Sequence, residues 1–309
     1  MRSNIKSNPF DCRISDMAHY SIKDLEKLTG IKAHTLRIWE KRYNLLEPKR
    51  TTTNIRFYDD EDLKRILNVA LLNRNGFKIS RIAELGEEEL FDKISDLSKH
   101  HPDTENQIDN LVLSMIELDE KKFSKVLTKS IQLRGFENTV LHLIYPFFEK
   151  VGVLWQTGVV NPAQEHFVSN IIRQKLISSI DKLVENDHPE ARRFIMFLPE
   201  GELHEINLLF YYYLAKKHGK KVVYLGQSVP FNDLTAVAKI KPCDYILTAF
   251  SSSFNGIDIN SYLENLSSTF PKQTLFFSSF DYENMSRRFP ENVTRIKNAF
   301  HFAELIGKI

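Results

Sequence analysis

The hydrophobic period of this chain changes once along its length, and that change limits what it can fold into. Up to about residue 183, apolar residues recur at the three- and four-residue spacing of amphipathic helices. From residue 194 they come in short unbroken runs: Phe194-Ile195-Met196-Phe197-Leu198, Lys221-Val222-Val223-Tyr224-Leu225, Tyr245-Ile246-Leu247-Thr248 and Thr274-Leu275-Phe276-Phe277. Helical stretches separate them, over 204–218, after a cap near Pro230 to Asp233, and from about Asp258, with another near Tyr282. Thr294-Arg295-Ile296 reads as a fifth short strand. Apolar strands alternating with helices at this pitch make an open parallel sheet. Ligands enter such sheets at the carboxyl ends of strands, which singles out the loops after Leu198, Leu225, Thr248 and Phe277.

The helical part divides further. Ser21 caps a first helix, with Asp24 three residues on and Ile22, Leu25 and Leu28 as its apolar stripe. Gly30 breaks it with a tight turn. A second helix runs from about Ala33 to Tyr43, with Leu36, Trp39 and Tyr43 on one side. Two short helices around a glycine turn form a helix-turn-helix candidate. The stretch 49–58 suits a hairpin or wing, and Asp59 or Asp60 caps a third helix. A short fourth helix begins over 79–85. Over 87–183, breaks near 99–102, 118–119, Gly135 and 158–162 separate about four amphipathic helices, which suggests a small bundle. The acidic stretch 185–190 reads as a linker. The expected chain is multidomain: a flexible tail (1–18), an α winged helix-turn-helix (19–87), an α four-helix bundle (88–186) and an α/β Rossmann-like, flavodoxin-like parallel sheet (191–309).

Charge follows the same division. Residues 1–85 hold 17 Lys/Arg against 11 Asp/Glu, about +6, while the whole chain sums to +2. A basic first third joined to a mildly acidic remainder suits a nucleic-acid reader with a second module, although a solvated face would look the same. Two cysteines, Cys12 and Cys243, exclude a disulfide scaffold, and the absence of a CxxC excludes a zinc ribbon. No apolar run reaches the roughly 18–20 residues of a membrane span, and residues 1–17 show no export signal, so no membrane role and a cytoplasmic setting are expected. Neither a nucleophile elbow, paired carboxylates nor a glycine-rich phosphate loop is present, so no catalytic residue is assigned and the chain is not expected to be an enzyme.

Tyr20-Ser21-Ile22, Thr29-Gly30-Ile31 and Thr35-Leu36-Arg37-Ile38-Trp39-Glu40-Lys41-Arg42-Tyr43, continued by Leu46, Pro48, Arg50, Asn54, Arg56 and Tyr58, closely resemble the winged helix-turn-helix of MerR-type transcription regulators. The resemblance implies that the second helix enters the major groove of promoter DNA. Thr35, Arg37 and Lys41 would then face the DNA, and Arg42, Tyr43, Arg50, Arg56 and Tyr58 would hold phosphates. Trp39 reads as a core anchor in preference to a base stacker, and Tyr58 could equally pack under the wing. The cysteines through which metal-sensing relatives bind thiophilic ions are missing.

The remainder resembles the cobalamin-binding sensor half of CarA/CarH/LitR-type regulators. Trp155, nine intervening residues and Glu165-His166 match the bundle signature, which implies a Trp over the upper corrin face with the Glu-His pair near the upper ligand. Glu202-Leu203-His204 resembles the loop whose His ligates cobalt from below, and Glu202 or another acid could fix its tautomer. The chain departs from the pattern where glycines admit the nucleotide tail: those positions are Asn207, Ser278 and Ser279. The expected Ser-x-Leu is Thr248-Ala249-Phe250, with Phe250 a candidate plug, and Gln156 replaces the His that follows the Trp in light-sensing members. Tyr211-Tyr212-Tyr213 reads as packing, or else as an interface.

Together these readings give a DNA-binding regulator with a cobalamin-binding-like sensor or oligomerisation module. Its expected partners are double-stranded promoter DNA and further copies of itself, as a dimer or tetramer. The alternatives are a cofactor-free module controlled by an antirepressor-like protein, and, in another class, a cobalamin-dependent methyl-transfer module.

Overall fold

The computed structural model describes residues 20–51, 54–86, 89, 90, 93, 104–156, 160–184, 190–251, 258–279 and 288–309, apart from the side chains of Asp60, Val153, Trp155 and Gln156. The chain divides into two units, Met1–Val168 and Ser169–Ile309.

In the first unit the helix Ile22–Thr29 opens on a capping box. Asp24 N–H donates to Ser21 Oγ (3.3 Å), and Ser21 N–H donates to the Asp24 carboxylate (2.8 Å). The helix stops at Gly30, whose φ of 72° no β-carbon would tolerate cheaply. The helix Ala33–Tyr43 follows and has no side-chain cap of its own from Lys32; its first amide, Ala33 N–H, donates instead to Glu26 Oε2 on the preceding helix (3.1 Å). Leu25, Leu28, Leu36 and Trp39 are buried, so Trp39 is the core anchor. Strands β1 (Lys49–Arg50) and β2 (Arg56–Phe57) pair antiparallel as the wing. Of the two candidate caps, Asp59 opens the helix Asp60–Arg74, in a second capping box with Asp62. The next helix, Ile79–Ile82, is a single turn, shorter than the expected 79–85.

The helical region that follows contains Thr104–Ile116, Glu120–Arg134, a continuous helical run from Phe136 to Gln156 with a π turn at Val140–Ile144, and Pro162–Asp181. Its breaks at Leu118 (φ 52°) and Gly135 (φ 81°) fall where the sequence placed them. Phe123 meets Phe147 edge to face (5.5 Å) within this core. Asp109 fastens three helices together. Arg74 Nη1 of Asp60–Arg74 donates to it at 2.8 Å, Lys150 pairs with its other oxygen, and beside it Asn75 and Asn106 exchange reciprocal amide bonds of 3.0 Å.

The second unit holds a parallel sheet of β3 (Arg193–Pro199), β4 (Lys221–Val229), β5 (Tyr245–Phe250), β6 (Thr274–Ser279) and β7 (Val293–Arg295), in the order β4-β3-β5-β6-β7. Phe194 to Leu198 are all 0% exposed, because helices cover both faces and each alternate side chain needs an apolar partner. On one face Ile195, Phe197, Ile246, Phe250 and Phe277 pack with Leu234 of Phe231–Ile240 and Leu263 and Leu266 of Ile259–Thr269. Toward the other face, Tyr211 of Ile206–Lys217 packs against Phe302 of Ala299–Ile306 (4.7 Å). The tyrosine run is packing: Tyr212 stacks on Tyr224 (4.9 Å) and Tyr213 on Phe210 (6.1 Å). The helix expected near Tyr282 lies outside the described residues.

Candidate functional site

Two surfaces bring the singled-out residues together. The first is the exposed side of the helix Ala33–Tyr43 with the wing. Burying Leu36 and Trp39 turns Arg37, Lys41 and Arg42 outward, with Thr35 and Tyr43 half-buried beside them. Arg42 lies over the Tyr43 ring at 5.5 Å. On the wing, Arg50 Nη1 donates to Asn54 Oδ1 (2.8 Å), and Asn54 turns the chain with a φ of 65°. Arg56 pairs with Glu40 (3.6 Å). Tyr58 departs from the phosphate-holding expectation: it is 0% exposed and its hydroxyl donates to Glu40 Oε2 (2.9 Å), so it packs under the wing. Burial first, then the Glu40 carboxylate, push its phenol well above the ordinary range. Glu40, which the sequence reading passed over, thus holds helix and wing in one arrangement through Tyr58 and Arg56.

The second surface lies at the carboxyl ends of β3 and β5. The chain leaves β3 toward β4 on one side, and β5 lies on the other, so the strand order reverses here, the place where ligands enter such sheets. The loop 200–205 occupies it and is laced down along its length. Gly201, at a φ of 85°, donates its N–H to Ser228 Oγ (3.1 Å). Ser228 N–H donates to Glu202 O (3.1 Å), and Gln227 Nε2 donates to Leu203 O (2.6 Å). The Glu202 side chain, 2% exposed, accepts from His204 N–H (2.9 Å), meets His204 Nδ1 (2.8 Å) and accepts from Ser251 N–H after β5 (2.8 Å). Burial raises its carboxyl, but the bonds from His204 and Ser251 outweigh that and hold it at about 2. An ionised Glu202 orients the His204 ring by Nδ1, while that side chain remains 62% exposed. Next in the chain, the buried Glu205 pairs with Arg173 and accepts from Tyr224 Oη (2.9 Å). Nothing in the spacing singled out Arg173 or Tyr224; Glu205, adjacent to His204, was the one available signal.

The other sequence candidates are more scattered. Glu165 and His166 lie in the first turn and a half of Pro162–Asp181, where Glu165 Oε2 meets His166 Nδ1 (2.9 Å). Trp155 sits in the helix Tyr145–Gln156, and its side chain is outside the described residues. Asn207 is half-buried in the first turn of Ile206–Lys217. Ser278 is buried and hydrogen-bonded to Tyr211, whose phenol burial pushes up to about 12. Ser279 is half-buried. Phe250, the candidate plug, belongs to the core on the face of Leu234 and Leu263, opposite to Ala249 and Ser278. Thr248 Oγ1 is buried without a hydrogen-bond partner among the described residues. Among the described residues, no group of three or more His, Cys, Asp and Glu could hold a metal ion, and no helix is long and apolar enough to cross a membrane.

A capped helix-turn-helix with a basic wing, a helical region and a parallel sheet with a laced histidine loop define a DNA-binding transcription regulator carrying a corrinoid-type module. Residues 20–89 match the family described as MerR HTH family regulatory protein, and residues 107–177 match the B12 binding domain. The chain is 27% identical over 264 residues to the HTH-type transcriptional repressor CarH of Myxococcus xanthus, covering 82% of this chain and 86% of that protein. It is also 27% identical over 248 residues to the repressor CarA of the same organism, covering 79% and 81% respectively. The monomethylamine corrinoid protein of Methanosarcina barkeri shares the fold at a TM-score of 0.53 and 14% identity, over 66% of this chain and 99% of that one. The chain is therefore a MerR-type helix-turn-helix regulator with a B12-binding-type domain, homologous to CarH and CarA over most of its length.

Proposed function

We propose that this chain is a cytoplasmic, non-enzymatic regulator that binds a palindromic promoter site as a homo-oligomer and takes a corrinoid against the loop 200–205 at the carboxyl ends of β3 and β5. On the DNA side, Thr35, Arg37 and Lys41 address base edges in the major groove, and Arg42, Tyr43, Arg50 and Arg56 hold phosphates. The exposure of Arg37, Lys41 and Arg42 on the helix and of Arg50 and Arg56 on the wing supports this division. Two readers on a symmetric oligomer ask for half-sites spaced by whole helical turns.

The observation that carries the corrinoid reading is the Glu202–His204 pair. A carboxylate at imidazole Nδ1 sets the orientation of the ring, and a neutral imidazole so held is a donor type that cobalt accepts. A bound corrinoid would supply a cobalt centre, and His204 is the residue that would hold it. Glu202 sets the ring's orientation, and Ser251 and Gln227 fix the loop that carries it. By the resemblance of their spacing, Trp155, Glu165 and His166 are the further residues proposed to contact a corrinoid. Where the nucleotide tail would need open backbone, Ser278 is already engaged by Tyr211, so the residues present fit the cobalt-holding histidine and do not fit the tail.

The test is a titration of the full chain with cobalamin in the dark, read by visible absorbance and gel filtration, with His204→Ala in parallel. Saturable co-elution that the variant loses supports the reading; no retention at micromolar cobalamin removes it.

A further inference from the structure

Within residues 20–86, the large hydrophobic side chains that stand out in solvent among the described residues are Ile38 and Ile55, 53% and 64% exposed. Elsewhere in this segment the described leucines, isoleucines and Trp39 are buried or half-buried. Both exceptions lie among the cations of the reader. Ile38 is one helical turn from His34, Lys41 and Arg42, and next to Arg37. Ile55 stands at the wing tip between Asn54, which Arg50 contacts, and Arg56.

Neither packing nor propensity accounts for Ile38. It lies about 100° around the helix from Trp39 and outside the stripe that Leu36 and Trp39 bury. A β-branched residue also gives a solvated helix position no advantage over Lys, Gln or Glu. An apolar group ringed by cations suits a surface that loses its water only against a polyanion. In the major groove of DNA the apolar group on offer is the C5-methyl of thymine, carried at the base edge beside the acceptors that Arg and Lys address.

We propose that Ile38 reads a thymine methyl group in each half-site, and that it adds sequence preference to the contacts of Arg37 and Lys41. Ile55 makes the sequence-independent counterpart, packing on the sugar-phosphate edge. The inference rests on the helix Ala33–Tyr43 entering the major groove.

The experiment uses the full chain and a duplex selected by it from a random library. Each thymine is replaced singly by deoxyuridine, which removes the methyl and keeps the base pair, and affinities are read by fluorescence anisotropy. The expected result is one position per half-site where the wild-type chain weakens about three- to tenfold, the scale of one buried methyl group. Ile38→Ala should bind thymine and uracil duplexes equally, and Ile55→Ala should still tell them apart. Ile38 is exposed, so Ile38→Ala should keep the wild-type melting temperature. The proposal is overturned if no thymine is sensitive, or if Ile38→Ala discriminates as the wild type does. Selection of no duplex at all would remove the DNA reading itself, and the proposal with it.

Discussion

Replacing Asp109 by Asn should loosen the helical framework behind the DNA reader, and the structure sets the size of the effect. The carboxylate side chain is 4% exposed and carries both Arg74 (2.8 Å) and Lys150. Removing one member of a buried ion pair costs about 3–5 kcal/mol when the remaining charge is stranded. Here the stranded groups keep some water, with Arg74 29% and Lys150 23% exposed, and Arg74 retains Glu105 at 2.9 Å. The expected loss is therefore below that range, about 2 kcal/mol, with Asp109→Ala costing more because Asn keeps the volume and one acceptor. Both tryptophans, Trp39 and Trp155, fall in the first unit, so tryptophan fluorescence during urea unfolding reports on that unit alone. An unchanged urea dependence with a lowered midpoint is the expected signature. A loss under about 0.5 kcal/mol, the level of an ordinary surface substitution, would show that Asp109 is screened like a surface charge and joins nothing.

Three further outcomes are expected. DNA affinity should fall steeply with salt, and Arg42→Ala should flatten the log–log slope by about one unit per protomer, read by anisotropy between 50 and 200 mM salt. Glu202→Gln should weaken corrinoid binding about tenfold with the His204 ligand still present, measured by absorbance titration; wild-type affinity would mean the carboxylate does not orient the ring. The wing should detach in acid. Burial raises the Asp59 carboxyl, but Lys49 and the Asp62 amide outweigh it and hold it below its ordinary value. Its contribution is therefore present above the ordinary carboxylate range and lost as the pH falls through its lowered value. Asp62, pushed up by burial, has the opposite sign, so comparing melts of the Asp62→Asn chain with and without Asp59→Asn from pH 7 down to pH 3 isolates the effect; parallel profiles there would refute it.

Much of the architecture was legible because local chemistry and long-range packing agree. Ser21 with Asp24 marks a helix start, Gly30 its stop, and the change from helical spacing to unbroken runs marks the sheet. The remainder depends on partners distant in sequence. Asp109 reads as a polar residue on a helix face until Arg74 and Lys150, 35 and 41 residues away, converge on it. Tyr58 follows a two-residue strand, too short for alternation to say which way its ring turns. Phe250 lies at the strand position expected to border the tail slot, yet pleating sends its ring to the opposite face from Ser278. The π turn at Val140–Ile144 spans only five residues, too few for apolar spacing to show its wider period.

The lacing of the 200–205 loop bears on how this regulator can change over evolutionary time. The bonds that fix Leu203 use its backbone carbonyl, whereas its side chain is 60% exposed beside His204. Position 203 can therefore drift through many residue types without moving the imidazole. What His204 looks out upon becomes variable while where it stands stays constant. A site wired through its main chain keeps its histidine in place while the residue beside it varies.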